Sequence, residues 1–81
     1  MGFNEILSEV EKIYCKVLDN DDIKLTAETT AMDIDEWDSL SHIELVVAME
    51  KKFKIKFTTI EIQNWMNVGA LVSNIESKLN G

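Results

Sequence analysis

The apolar residues of the chain recur at three- and four-residue spacing in four segments, a pattern typical of amphipathic helices. Residues 3–18 form the first segment, with an apolar stripe made of Phe3, Ile6, Leu7, Val10, Ile13, Tyr14, Val17 and Leu18. Residues 39–54 form the second, with Leu40, Ile43, Val46, Val47, Met49 and Phe53. Both stripes are expected to face one core.

Two shorter segments follow, and polar residues mark where their helices begin. Thr58 with Glu61 three residues later is a capping-box pattern, which predicts a short helix over about 58–65. Asn67 is expected to cap a last helix that runs to about Leu79. The inward residues of that helix are predicted to be Val68, Leu71, Val72, Ile75 and Leu79.

About twenty residues without strong periodicity separate the first two helices. Loops of that length are uncommon in so small a domain and are usually functional. Its apolar residues are expected to pin it to the core: Ile23, Leu25, Met32 and Ile34. The 81 residues therefore predict a single domain, 1–81, with an all-α fold: a four-helix bundle with a long loop between helices 1 and 2 and a short third helix.

Composition narrows the possible functions. A lone cysteine, Cys15, excludes an intramolecular disulfide. We expect a cytoplasmic protein without a membrane partner, since no apolar run could cross a bilayer and no basic-then-apolar leader is present. The net charge of −7 equals that of residues 19–38, which hold eight carboxylates and one lysine, so nucleic-acid binding is not expected.

The acidic segment leads directly into Ser39, at the predicted start of the second helix. Asp38 is a plausible N-cap there, and the serine hydroxyl is expected to face water at the positive end of the helix dipole. The carboxylates are expected to steer a basic partner to this serine, with a merely solvated loop as the alternative. Because the chain offers little other catalytic equipment, we predict a serine that is modified and a protein that is not an enzyme.

The residues around this serine resemble the modified-serine signature of the acyl carrier proteins. The resemblance is carried by the run Glu36-Trp37-Asp38-Ser39-Leu40-Ser41-His42-Ile43-Glu44-Leu45 and extends along nearly the whole chain. It implies the acyl-carrier fold and a 4′-phosphopantetheine arm joined to Ser39 through a phosphodiester. The arm's thiol would hold acyl intermediates as thioesters, in fatty-acid or specialised (polyketide-like or unusual-acyl) biosynthesis.

The resemblance also implies partners. A holo-carrier synthase would install the arm from coenzyme A, using magnesium held in its own site, while this chain would bind no metal. Acyl-activating and acyl-transferring or condensing enzymes would be its next partners. The chain itself is expected to be a monomer. Candidate partner contacts are Trp37, Asp38, Leu40, Glu44, Val47 and Glu50. The alternative for Leu40 is a place in the core, and for Trp37 it is the anchoring of the loop. For Glu44 and Glu50 the alternative is that both are solvated carboxylates without a partner.

Several departures and competing interpretations bear on this hypothesis. Fatty-acid carriers usually have glycine and an aliphatic residue where this chain has Glu36 and Trp37, which favours a stand-alone carrier of a specialised pathway. Peptidyl or D-alanyl carriers, or an unmodified helical interaction domain, remain alternatives. Trp65 is expected to close the core near the third helix, and Tyr14 to lie in the core with its hydroxyl outward.

Two other chemistries are disfavoured. Asp33, Asp35 and Glu44 match three places of a calcium loop, but Trp37 and an aspartate stand where a ligand and the turn glycine are needed. A hydrolase built on Ser39 would use a histidine three residues later on the same helix face, yet no oxyanion hole is apparent. That histidine, His42, is instead expected at the surface beside the arm.

Overall fold

The computed structural model describes residues 2–80, and its regular structure there is helical. The helices are α1 (Phe3–Val17), α2 (Ser39–Phe53), α3 (Thr59–Gln63) and α4 (Val68–Asn80), with a single 3-10 turn over Ala31–Asp33 in the long loop. This is the all-α architecture predicted from the sequence, with helix ends displaced by only a few residues. No helix in the described part of the chain is both long and apolar enough to cross a bilayer.

The core lies where α1 packs against both α2 and α4. Its most deeply buried side chains come from these three helices: Ile6, Val10, Tyr14, Leu45, Met49, Val68, Leu71, Val72 and Ile75. Each side chain of this size contributes roughly 1.5–3 kcal/mol when it is fully buried rather than exposed. Burial along α1 and α4 follows the predicted stripes.

The predicted inward face of α2 is partly wrong. Leu40, Ile43 and Val47 are 70%, 62% and 43% exposed. Leu45, which lies outside the predicted stripe, is fully buried. Apolar residues occur almost all round this helix, so spacing alone did not determine which face turns toward α1. As a consequence, α2 presents an apolar strip to solvent.

The long loop is held to the core by three of its four predicted apolar residues, Ile23, Leu25 and Ile34. The prediction for Met32 is wrong, because this side chain is 93% exposed. Met32 lies in the 3-10 turn, which is closed by polar bonds: the Thr30 N–H donates to Asp33 Oδ2 at 2.9 Å. This local closure leaves the turn residue outside.

Backbone contacts attach the same loop to the start of α4. The Val68 N–H donates to the Thr29 carbonyl and the Gly69 N–H to the Ala27 carbonyl, both at 2.8 Å. These bonds satisfy amide groups that a helix start leaves unpaired. A Cβ at position 69 would lie 2.8 Å from the Ala27 carbonyl oxygen, so glycine permits this close approach.

The predicted caps of the two short segments are confirmed. Thr58 accepts a hydrogen bond from the Glu61 N–H, and Asn67 Oδ1 accepts one from the Ala70 N–H at 2.9 Å. At its other end α2 stops at Lys54, whose backbone is left-handed with φ 57°. These local signals fix where α2 ends and where α3 and α4 begin along the chain.

Candidate functional site

Ser39 is the first residue of α2 and is exposed. The preceding residue, Asp38, caps the helix as predicted: its Oδ1 accepts from the Ser41 N–H at 2.9 Å, and its own N–H donates to Ser41 Oγ at 2.8 Å. Hydrogen bonds from Ser41, the backbone one above all, lower the pKa of the Asp38 carboxyl. The reciprocal pair holds Ser39 at the tip of the helix.

A helix start presents N–H groups without intrahelical acceptors, together with the positive end of the helix dipole. In the first turn of α2 the Ser41 N–H is taken by the Asp38 carboxylate, and the positive end of the dipole lies next to Ser39. A phosphate ester on the Ser39 oxygen would therefore lie at a favourable end of the helix. The site fits the attachment chemistry that the resemblance implied.

A groove of about 490 Å³ opens beside Ser39. It lies between the start of α2, the loop before it, α3 and the start of α4. Its apolar and aromatic walls include Trp37, His42, Ile62, Trp65, Met66 and Leu71. The exposed Ser39 therefore lies at the edge of a groove rather than on a flat surface.

One wall of the groove is made by Trp37 and His42. The Trp37 Nε1–H donates to His42 Nδ1 at 3.0 Å, and the two rings are stacked with centroids 5.9 Å apart. The other side of the indole meets Tyr14 edge to face at 5.0 Å. Trp37 therefore anchors the loop, which was one of its two predicted roles. Contact with a partner stays a prediction.

The expectations for this wall hold only in part. His42 flanks the groove beside Ser39, but its ring is half-buried between Trp37 and Trp65, and burial lowers its pKa. The expectation for Tyr14 is wrong, because its ring packs in the core against Trp37 and its hydroxyl is not turned outward. Its oxygen is buried without a hydrogen-bond partner among residues 2–80, and desolvation raises its pKa.

The facing wall is made by Trp65 and a polar chain behind it. The Trp65 Nε1–H donates to Asn74 Oδ1 at 3.1 Å, and Asn74 Nδ2 donates to Glu61 Oε2 at 2.8 Å. Lys78 Nζ lies 3.0 Å from the same oxygen, and Glu61 Oε1 accepts from the Thr58 N–H. These bonds, led by the one from Asn74, lower the pKa of Glu61 to about 2.

Sequence reasoning found Glu61 only as part of a capping box and did not find Asn74 or Lys78. The four-residue spacing of the last two residues places them on one face of α4. Nothing in the sequence indicates that this face meets α3. Trp65 is half-buried against the core and packs on Phe57 at 4.7 Å, as expected for a residue that closes the core near the third helix.

The competing chemistries find no support in the geometry. Within residues 2–80, Asp33, Asp35 and Glu44 do not come together as a group that could hold a metal. The Nδ1 atom of His42 is bonded to the Trp37 indole, so that nitrogen is not turned toward Ser39.

Four of the six residues predicted to contact partners lie on α2, and the other two, Trp37 and Asp38, directly precede it. Leu40, Glu44 and Val47 are exposed. The solvated carboxylate expected at Glu50 is not observed: this residue is half-buried, and its Oε2 accepts from the Phe57 N–H at 2.9 Å. Glu50 therefore holds the chain as it leaves the helix. The role of all these predicted contact residues in partner binding stays a prediction.

Comparison with known proteins agrees with this geometry. The sequence model of the family described as "Phosphopantetheine attachment site" matches residues 8–75. The acyl carrier protein of Thermotoga maritima is 35% identical over 75 residues, covering 93% of each chain. That of Caulobacter vibrioides is also 35% identical over 75 residues, covering 93% of this chain and 96% of the relative.

A solved structure is similar as well. The solution NMR structure of the holo acyl carrier protein from Geobacter metallireducens superposes with a TM-score of 0.88 at 47% sequence identity. The match covers 93% of this chain and 86% of the other. The family match over residues 8–75 includes α2 and the groove. The chain belongs to the acyl carrier protein family, whose members are phosphopantetheine-bearing carriers rather than catalysts.

Proposed function

We propose that Ser39 is the residue to which the phosphopantetheine arm is attached, and that the chain carries acyl intermediates for biosynthesis. The observation that carries the proposal is the exposed hydroxyl of Ser39 at the N-terminus of α2, at the edge of the groove. Ser41, two residues later, has its hydroxyl bonded to the Glu36 carbonyl and the Asp38 N–H. It is therefore less available for modification.

The chain's own residues would act by presenting and orienting the arm. The reciprocal bonds between Asp38 and Ser41 fix the first turn of α2, and with it the place of Ser39 at the positive end of the helix dipole. When bound, the arm supplies a terminal thiol that holds an acyl group as a thioester. Joining the cargo to a protein that docks on successive enzymes raises its effective concentration at each of them.

Partners of this proposal are a holo-carrier synthase with coenzyme A and magnesium, and acyl-activating and acyl-transferring or condensing enzymes. The exposed strip of Leu40, Ile43 and Val47, with Glu44 beside it, supports docking along α2. Each exposed ion pair made by such a glutamate is worth only about 0.2–1 kcal/mol. Apolar contact would thus supply much of the affinity. We also propose a cytoplasmic monomer made of one domain.

For the cargo we propose an acyl group of a specialised pathway in preference to a housekeeping fatty acid. Trp37 supports this, because a bulky ring borders the groove where fatty-acid carriers usually have an aliphatic residue before the aspartate. Peptidyl and D-alanyl carriers share the serine and the fold, so loading of the holo protein with acyl, aminoacyl and D-alanyl donors would separate these classes.

The attachment is tested by mass spectrometry. Incubation with coenzyme A, magnesium and a broad-specificity holo-synthase should add the mass of one phosphopantetheine group to the wild-type chain. Ser39→Ala should abolish the gain with unchanged helical circular dichroism. Ser77→Ala, at an exposed serine of α4, is the matched control and should retain it. An added group that persists on another residue of Ser39→Ala would overturn the assignment.

A further inference from the structure

His42 is the single histidine of the chain. Its ring lines the groove beside Ser39 and lies between the two tryptophans, with its centroid 5.9 Å from that of Trp37 and 6.0 Å from that of Trp65. No step of the carrier function requires a histidine at this place. Its hydrogen bond to Trp37 nevertheless gives the ring a defined chemical form.

That form is fixed by the direction of the bond. An indole N–H is a donor only, so the His42 Nδ1 that lies 3.0 Å from Trp37 Nε1 accepts and carries no proton. The neutral imidazole then has its one proton on Nε2. Trp37 therefore makes His42 a hydrogen-bond donor through Nε2–H.

This donor has no protein acceptor among residues 2–80. In that part of the chain, the only buried side-chain oxygen or nitrogen without a hydrogen-bond partner is the Tyr14 hydroxyl, so Nε2 of His42 remains accessible. Nε2 is the other ring nitrogen, separated from Nδ1 by one carbon, and the ring borders the cavity. A donor is thus available to whatever occupies the groove.

Ser39 and His42 are close enough for one group to contact both. They are three residues apart on α2, and residues at this spacing are neighbours on a helix surface, with Cβ atoms about 5–6 Å apart. A group esterified to the Ser39 oxygen would begin at the edge of the groove that the imidazole lines. Its first hydrogen-bond acceptors would be the phosphodiester oxygens, followed by the hydroxyl and the carbonyl oxygens of the pantetheine chain.

We propose that His42, held as a donor by Trp37, binds the arm inside the groove through a hydrogen bond from Nε2–H to an oxygen of the arm. His42 is then a positioning residue that folds the arm onto the groove between Trp37 and Trp65 when no partner is docked. The proposal rests on attachment at Ser39.

The test uses full-length, ¹⁵N-labelled protein before and after loading, and the single histidine makes its resonances unambiguous. Long-range ¹H–¹⁵N correlations above pH 7 should show an unprotonated Nδ1 and a protonated Nε2 in the apo protein. Loading should shift the Nε2–H resonance. A simultaneous rise in the His42 pKa identifies the phosphodiester as acceptor, because a nearby negative charge favours the imidazolium. A shift at constant pKa identifies an uncharged acceptor of the pantetheine chain, a hydroxyl or a carbonyl oxygen.

Two variants serve as controls. Ser39→Ala, taken through the same loading reaction, should show no change at His42. It retains Asp38, the other ionisable residue lining the groove. Trp37→Phe keeps an aromatic ring but removes the indole donor, so the apo protein should show a mixture of tautomers and a smaller change on loading.

The outcomes separate this inference from the proposed function. Loading of Ser39, verified by mass, without any change at Nε2 would overturn the hydrogen bond and leave the attachment site standing. An apo protein with its proton on Nδ1 would overturn the inference as well. Failure of Ser39 to gain mass would remove both.

Discussion

The two tryptophans that border the groove are held in different ways. Trp37 donates to His42, five residues away along the chain, and the pair forms a local clamp at the start of α2. Trp65 donates to Asn74, and the chain of bonds continues to Glu61 and Lys78, joining α3 to α4. One wall therefore depends on a neutral aromatic pair, and the other on a charged network between two helices.

This difference indicates separate tasks. Helix α3 has only five residues, too few for a stable helix on its own, so it depends on the bonds through Glu61 and Asn74 to keep its place. The Trp65 wall is accordingly the one that gives the groove its shape. The Trp37 wall carries the accessible donor and is next to Ser39, so it is the one suited to contact the arm.

The largest effect is expected where the charged network is cut. Asn74→Ala removes the acceptor of the Trp65 N–H and the donor to Glu61, and should lower the free energy of unfolding by about 1–3 kcal/mol. Urea unfolding followed by circular dichroism measures this. Ser73→Ala, at the exposed neighbour, should change it by less than about 0.5 kcal/mol. Equal losses in the two variants would mean that the network does not hold α3.

The same measurement on the other wall should give a smaller loss. Trp37→Phe keeps an edge-to-face ring on Tyr14 and removes one neutral hydrogen bond, which is worth about 0.5–1.5 kcal/mol. Accessible His42 can bond to water instead, which limits the cost. A loss larger than that of Asn74→Ala would reverse the ranking of the two walls.

Acid should weaken the Trp65 wall in a defined pH range. The pKa of Glu61 falls from its ordinary 4.5 to about 2 in the folded protein. Its contribution is therefore fully present above pH 4.5 and is lost as the pH falls toward 2. The stability difference between wild type and Glu61→Gln should shrink across this range. A difference that is constant from pH 6 to pH 3 would contradict the ionised network.

The Trp37 wall should respond at higher pH. Burial lowers the pKa of His42 below its ordinary 6.5, so the unfolded chain binds the proton more readily. Above pH 6.5 His42 is neutral whether or not the chain is folded, so it costs no stability there. Below pH 6.5 the unfolded chain takes up the proton first, and the free energy of unfolding decreases. Titration of the His42 ring protons, with indole ¹⁵N chemical shifts to follow the Trp37 bond, measures the change. A His42 pKa above 6.5 in the apo protein would contradict the expectation.

Local signals made much of this fold predictable. Asp38, Thr58 and Asn67 are capping residues whose action extends only a few residues, and all three cap the helices they were predicted to cap. Spacing also identified the inward stripes of α1 and α4, because each has one apolar and one polar face. The exposed serine at the start of α2 followed from the same local reasoning.

What sequence reasoning missed depends on how helices meet. Apolar residues surround α2, so the inward place of Leu45 and the outward place of Ile43 are set by where α1 lies. The bond from Asn74 to Glu61 joins residues of two helices whose relative position the sequence does not contain. The half-burial of the His42 ring was missed for the same reason, since Trp65 packs on it only once α3 is in place.

The smallest change in the free energy of unfolding is expected at Tyr14, whose ring packs against Trp37. The Tyr14 hydroxyl is buried without a partner in the described chain, and a buried polar group in that state costs free energy that a hydrogen atom would not. Tyr14→Phe keeps the ring against Trp37 and should leave the free energy of unfolding unchanged or raise it by up to about 1 kcal/mol. A loss of more than 1 kcal/mol in urea unfolding would mean that the hydroxyl has a partner, such as a buried water. The ring that packs against Trp37 would then be held by a polar contact, as Trp65 is, and the contrast between the two walls would be smaller.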